Sequence, residues 1–208
     1  MRDFYSELAI HTGRNRDLIQ KKCENAAVEL AWAWEKYKTD PLKYYRKSDL
    51  YVFDLAFYQT LQTQRGTLDW YRNKIKEYQW KSMLDYGGGI GEWTLIPAEM
   101  GIESSYLDMK NSKTLKYAEW RFALYNIHPT ILFDGQKLEK HYDFIVAMDV
   151  FEHIENPEPI IQDVCAHTNY IFANPEEIPY NFIYPQHISR YDLSKYCIHV
   201  DKYLWRVR

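Results

Sequence analysis

The chain has 208 residues, 46% hydrophobic and 17% aromatic, which is enough to bury one sizeable core and excludes a disordered protein. Its 26 Lys and Arg against 29 Asp and Glu give a formal charge of −3, which argues against a protein that coats nucleic acid by charge alone. Cys23, Cys165 and Cys197 are odd in number and form neither a CxxC nor a disulfide-framework pattern, so they are expected as buried thiols in a reducing compartment, the cytoplasm. The opening stretch MRDFYSELAIHTGRNRDLIQ carries charges where a signal peptide needs its apolar region. No run approaches ~20 apolar residues, and no membrane span is expected.

Residues 1–79 read as a helical region. Leu18, Cys23, Ala26, Ala27, Leu30, Ala31, Trp34 and Tyr37 recur mostly at three- and four-residue steps, the pattern of one helix face. TDP at 39–41 ends that helix, because proline disfavours helical geometry in the residue before it. A second helix is expected within 42–61 and a third from about Thr67 toward Tyr78. From residue 80 to 208 short apolar runs alternate with helical stretches. SMLDY, SSYLD, TILF, DFIVAM and NYIFA are strand-sized and bounded by Gly, Pro, Asn or Asp. This rhythm predicts an α/β fold, a doubly wound and mostly parallel sheet with helices on both faces. Ligands in such sheets bind at the C-terminal strand ends.

The first strand ends in LDYGGGIGEW. Gly87, Gly89 and Gly91 at a strand-to-helix turn permit positive φ and let a ligand lie on bare backbone at a helix start; the competing reading is a structural turn. A dinucleotide fingerprint would need glycine at position 92, where Glu92 stands and would repel a pyrophosphate. A ligand with a cationic sulfonium and an α-amino group suits the place better, with Asp85 as counter-charge. Asp108, ending the second strand, is placed to take the hydroxyls of a ribose, although an Asp there also serves as a helix cap. Asp134 and Gly135, after the third strand, are placed to meet an adenine edge or to form a surface turn.

LDYGGGIGEW, YLDMKNSKTLKYAEWR, LFDGQKL and YDFIVAMDVFEHIENP, in that order, resemble the successive motifs of class I S-adenosylmethionine-dependent methyltransferases over about residues 81–175. The resemblance implies a Rossmann-like sheet and S-adenosylmethionine as cofactor. By position, Gly87, Gly89 and Gly91 would line its methionine part, Asp85 would approach its amino group, Asp108 its ribose and Asp134 its adenine. Asp149 would border cofactor and substrate. Two departures stand out: DVCAHTNYIFANP lacks the family's glycine pair before the fifth strand, and the C-terminal end is short, with only YLWRV assignable as a strand of the closing antiparallel pair.

Asp149, Glu152 and His153, spaced i, i+3 and i+4, would share one side of a helical turn, and His187 follows the fifth strand. Carboxylates with imidazoles suit Mg²⁺, Mn²⁺ or Fe²⁺ better than structural zinc. The spacing resembles the metal-binding pattern of the small-RNA 3′-terminal 2′-O-methyltransferases and of ubiquinone-pathway O-methyltransferases; an EH pair also occurs without metal in this class. His153 and His187 are the candidate bases. Tyr86, Trp93 and Phe151 are candidates for a sulfonium cation–π contact or for core. Tyr44, Tyr45, Tyr58, Tyr180, Asn181 and Tyr184 suit a small, partly apolar or ring-bearing acceptor, or a packed core. The expectation is methyl transfer to a small molecule, with oxygen as the candidate acceptor atom and nucleic acid disfavoured unless the basic set Lys195, Lys202, Arg206 and Arg208 recruits it. A metal-assisted RNA 2′-O-methyltransferase-like enzyme, a nicotinamide-dependent oxidoreductase and a non-catalytic methyltransferase-like subunit are the alternatives.

Overall fold

The computed structural model describes residues 2–174 and 185–208. Five helices come first: α1 (Phe4–Thr12), α2 (Arg16–Tyr37), α3 (Pro41–Lys47), α4 (Leu50–Thr60) and α5 (Gln62–Tyr78). α2 begins where the Asn15 side chain accepts from the N–H groups of Asp17 and Leu18. Pro41, expected only as a stop signal, is also the first residue of α3, where its missing N–H costs nothing and Asp40 caps the turn. The single helix expected within 42–61 is corrected to two, because Ser48 is extended and its Oγ accepts from Leu50 N. α5 starts at Gln62, before the expected Thr67; Gly66, which reads as a breaker, is accommodated inside it. α1 escaped notice because its buried face is Phe4, Glu7 and Leu8, and the charged residue in the middle hides the apolar stripe.

The sheet follows: β1 (Ser82–Tyr86), α6 (Glu92–Glu99), β2 (Glu103–Asp108), α7 (Lys113–Leu124), β3 (Thr130–Phe133), β4 (Tyr142–Val146), a 3-10 turn (Phe151–His153), α8 (Glu158–Ala166), β5 (Thr168–Phe172), β6 (Cys197–Asp201) and β7 (Leu204–Val207). The strand order is β3-β2-β1-β4-β5-β7-β6. β1 to β5 pair in parallel, and β7 runs antiparallel to both β5 and β6. The doubly wound, mostly parallel sheet is thus present, and its closing pair is complete despite the short end. β6 reads poorly in sequence because, at the sheet edge, only Cys197 of it is buried. The turn into β5 needs no glycine: His167 follows α8 directly, its N–H bonded to Val164 O and its ring Nδ1 to Asp163 O.

Successive strand residues point to opposite faces. Leu84, Ile145 and Ile171 pack with Ile161 and Val164 of α8, whereas Met83, Phe144, Val146 and Phe172 pack with Leu68, Tyr71 and Ile75 of α5 and Ile96 of α6. α5 is therefore a layer of the sheet sandwich. α1, α2 and α4 form a separate cluster, Phe4, Leu8, Ile19, Cys23 and Phe53, that closes over Ile90 and Tyr117. No helix of the described residues is long and apolar enough to cross a membrane.

One buried group joins these layers. Arg121 of α7 is fully buried and donates Nε to Glu7 of α1, Nη1 to the Ile90 carbonyl and Nη2 to Glu92 of α6, at 2.7, 2.6 and 2.7 Å. Arg2 bridges Glu92 and Glu99 from outside. Removing one partner of a buried pair strands the other without water, at about 3–5 kcal/mol. Arg121→Met is expected to cost that much in urea unfolding, and Glu7→Gln distinctly less, since the amide oxygen still accepts.

Candidate active site

The reversal of strand order between β1 and β4 opens a cleft at the C-terminal edge of the sheet. Residues 87–91 form its floor. Gly87, Gly89 and Gly91 all have positive φ (70°, 54° and 76°), and Gly91 is the left-handed residue that starts α6. Their N–H groups are not bare. Gly87 N and Gly88 N bond Leu107 O, Gly91 N bonds Gly88 O, and Gly89 N bonds Asp108 Oδ2 at 2.9 Å. The Glu92 carboxylate, for its part, is turned into the Arg121–Arg2 network. The charge argument from Glu92 is therefore corrected: what disfavours a pyrophosphate is that the turn's amides are already committed to the chain itself.

Asp108 is almost buried. Its Oδ2 accepts from Gly89 N and lies 2.9 Å from the Tyr106 hydroxyl, and Oδ1 accepts from Met109 N at 2.6 Å. Burial pushes its carboxyl up to about 6 against the lowering effect of these bonds. Asp85 lies beneath the turn, accepting the Thr94 hydroxyl at 2.8 Å; burial, with the Asp108 charge adding, pushes it up to about 7. Asp134 is exposed, receives the Lys110 N–H at 2.8 Å and pairs with Arg46 of α3 at 2.9 Å. Gly135 follows in an open turn with φ 82°.

Beyond β4, Asp149 has φ 55°, an uncommon conformation for a non-glycine residue, and accepts from Asn174 at 2.8 Å. Burial raises its carboxyl, and its charge helps burial push Asp54 of α4 up to about 6. Glu152 is fully buried; Asn174 also reaches its Oε1 at 3.3 Å, while Oε2 has no hydrogen-bond partner among the described residues. Burial first, and the Asp149 charge second, push Glu152 up to about 7. The Glu152 carbonyl accepts from Ile188 N and Ser189 N, which holds His187 nearby. His153 and His187 stand ring to ring, centroids 4.8 Å apart, and ligand atoms of Glu152, His153 and His187 all lie within 4.8 Å of one another. Asp149 stands outside that group: the shared helical side expected for Asp149, Glu152 and His153 does not form, because the turn is 3-10 and starts after Asp149, at Phe151.

His153 Nδ1 faces the Gln186 carbonyl at 3.2 Å and the Tyr45 hydroxyl at 3.1 Å. A carbonyl only accepts, so the ring proton belongs on Nδ1 and the lone pair on Nε2. Burial, reinforced by His187, pushes His153 down to about 3, and burial lowers His187 also. Both imidazoles are neutral near pH 7.

Of the residues read as either pocket or core, three lie in the core. Trp93 packs on Tyr71, Phe151 on Tyr191, and Tyr44 is buried with its hydroxyl on Leu30 O. Tyr180, Asn181 and Tyr184 lie outside the described residues. Of the basic set, Lys195 reaches Glu158, Lys202 lies over Trp70, and Arg208 bonds Ser194 O. Asn174 was missed, although its place just after β5 is where site residues fall; Arg46 and Asp54 carry no such signal.

This strand order with a reversed seventh strand defines a Rossmann-like α/β fold. A family model described as a methyltransferase domain matches residues 61–173, and the chain belongs to that family. No curated protein matches it in sequence. Among solved structures, it is similar to the N-terminal domain of EvdMO1 with SAH bound (15% identity, 67% of this chain and 80% of that one, TM-score 0.50). It is also similar to an S-adenosylmethionine-dependent methyltransferase from Clostridium acetobutylicum (17%, 50% and 47%, TM-score 0.46) and to magnesium protoporphyrin IX methyltransferase from Synechocystis with bound SAH (18%, 55% and 56%, TM-score 0.47). The match spans about half the length of the latter two.

Gly88 is the tightest point of the turn: a Cβ there would lie 2.4 Å from the Tyr106 ring. Gly88→Ala is expected to displace that ring from Gly89 O and Asp108 and to lower stability by about 1–3 kcal/mol in urea or thermal unfolding.

Proposed function

We propose that this chain binds S-adenosylmethionine across the C-terminal ends of β1 and β2 and transfers its methyl group to a small-molecule acceptor, at oxygen, beside His153. The observation that carries the reading is Asp108, placed at the end of β2 and fastened to the glycine turn through Gly89 N–H. Membership of the methyltransferase-domain family supports it. The acidic cleft supports it as well: Asp54, Asp85, Asp149 and Glu152 all have raised carboxyls, and a ligand carrying sulfonium and ammonium charges draws such groups back to the ionised state.

In this reading S-adenosylmethionine supplies an electrophilic methyl carbon for in-line displacement. The chain's contribution is to orient and to keep the cleft dry. Asp108 retains accepting capacity for the ribose hydroxyls, Asp134 and Gly135 lie toward the adenine, and Asp85 stiffens the turn beneath the methionine part. Neutral His153 and His187 offer lone pairs to the acceptor hydroxyl, and Glu152 beside them balances the imidazolium that forms. Residues 1–60 act as the substrate-side region; α5, which falls in the helical region 1–79 of the sequence, joins residues 80–208 as the cofactor-binding domain.

One observation favours a second reading, in which a divalent metal takes part. A carboxylate oxygen of buried Glu152 and a ring nitrogen each of His153 and His187 lie within 4.8 Å of one another, and Glu152 Oε2 has no hydrogen-bond partner among the described residues; two neutral imidazoles with one carboxylate fit Mn²⁺ or Fe²⁺ more naturally than Mg²⁺. Such an ion would supply Lewis-acid activation of the acceptor oxygen. Asp149, outside the group, would act on Glu152 through its charge and through the shared Asn174 amide.

Calorimetric titration of S-adenosylmethionine and its demethylated product checks the first reading. Asp108→Asn is expected to weaken both about 10- to 100-fold, the worth of hydrogen bonds to a charged group. Equal heats for native and variant, or binding of NAD instead, contradict it. Because cation binding favours deprotonated carboxylates, affinity is expected to rise with pH through about 7 and to level off about one unit higher, with protons released on binding. For the metal, Mn²⁺ binding followed by electron paramagnetic resonance is expected to vanish in His187→Ala; transferase activity indifferent to both chelator and variant removes the ion.

A further inference from the structure

α3 has one anchor and two arms. Tyr44 is fully buried with Leu30 and Trp34 and fixes the helix to α2. The next two residues reach past opposite sides of the cleft. The Tyr45 hydroxyl lies 3.1 Å from His153 Nδ1 and donates to Gln186 O at 3.4 Å, beyond β4. Arg46 Nη2 donates to Asp134 Oδ2 at 2.9 Å, beyond β3. In the sheet, β2 and β1 separate β3 from β4. At a strand spacing of ~4.8 Å, the two contacts therefore flank about 14 Å of sheet edge, the stretch that carries the glycine turn and Asp108.

We propose that Tyr45 and Arg46 form a two-ended clasp that retains the nucleoside-bearing ligand, with the Arg46 guanidinium closing the adenosine end and Tyr45 closing the end where the methyl group is delivered. This rests on the cofactor reading above. The two ends differ in character. Arg46 and Asp134 keep 43% and 33% of their side chains exposed, so their pair is weak and screened by salt. Tyr45 is packed among Trp34, Tyr51 and His153 and makes neutral hydrogen bonds that salt does not reach. The adenosine end opens first, and the ligand leaves from that side.

The test is stopped-flow dissociation of S-adenosylhomocysteine, followed by tryptophan fluorescence, for native chain, Arg46→Ala, Tyr45→Phe and the double variant. Arg46→Ala is expected to raise the off-rate about two- to fivefold at low salt and to match native at ~0.5 M salt. Tyr45→Phe is expected to raise it by a similar factor at both salt concentrations, and the double variant by more than either. Arg46 is half exposed, so the melting temperature of Arg46→Ala should equal that of native chain. A native-like off-rate in Arg46→Ala at low salt, with S-adenosylhomocysteine still bound, overturns the clasp alone. Failure of native chain to bind S-adenosylhomocysteine overturns the cofactor reading and the clasp together.

Discussion

The structure depends on a guanidinium that has no water to turn to. Arg121 must find acceptors inside the protein for the N–H groups it buries, and the three it finds belong to α1, to the glycine turn and to α6. Each of those elements is thereby fixed relative to α7. The Ile90 carbonyl is the decisive acceptor, because it sits inside a turn whose glycines have little side-chain packing of their own to choose a conformation. A charge far from the cleft mouth sets the shape of the cleft floor.

That arrangement explains where sequence reading succeeded and where it went astray. The strands and the glycine turn were readable because a buried parallel strand is a short apolar run with polar punctuation, and SMLDY matches β1 residue for residue. The places of Asp108 at the end of β2 and Asp134 just after β3 were readable because each closes a short apolar run. Glu92 was visible but its direction was not: its partner Arg121 is distant in sequence, and nothing local announces that a helix-start carboxylate turns inward. The commitment of the turn's amides to Leu107 and Asp108 is likewise a long-range fact. α1 and β6 were missed for a common reason, since each shows too little apolar surface to stand out.

Around the cleft, burial acts on acids and bases in opposite directions. It raises Asp54, Asp85, Asp108, Asp149 and Glu152 and lowers His153 and His187, so both sets are drawn toward neutrality. A site so poised responds strongly to a cation entering it. Carboxyls with values near 6 and 7 change state in a range where ordinary surface acids do not. His153, pushed down to about 3, keeps its lone pair throughout that range.

The reversed β7 strand has a consequence for the order in which the sheet is made. It is inserted between β5 and β6, so β6 has no partner in the sheet until β7 arrives. Until then the hydrogen-bonding edge of β5 stays open as well. The same open edge is a place where another chain's strand could pair in error. Only the tight turn at Lys202, with φ 44°, brings Leu204 and Trp205 back to shut it. β7 thus finishes the interior of the sheet rather than its border.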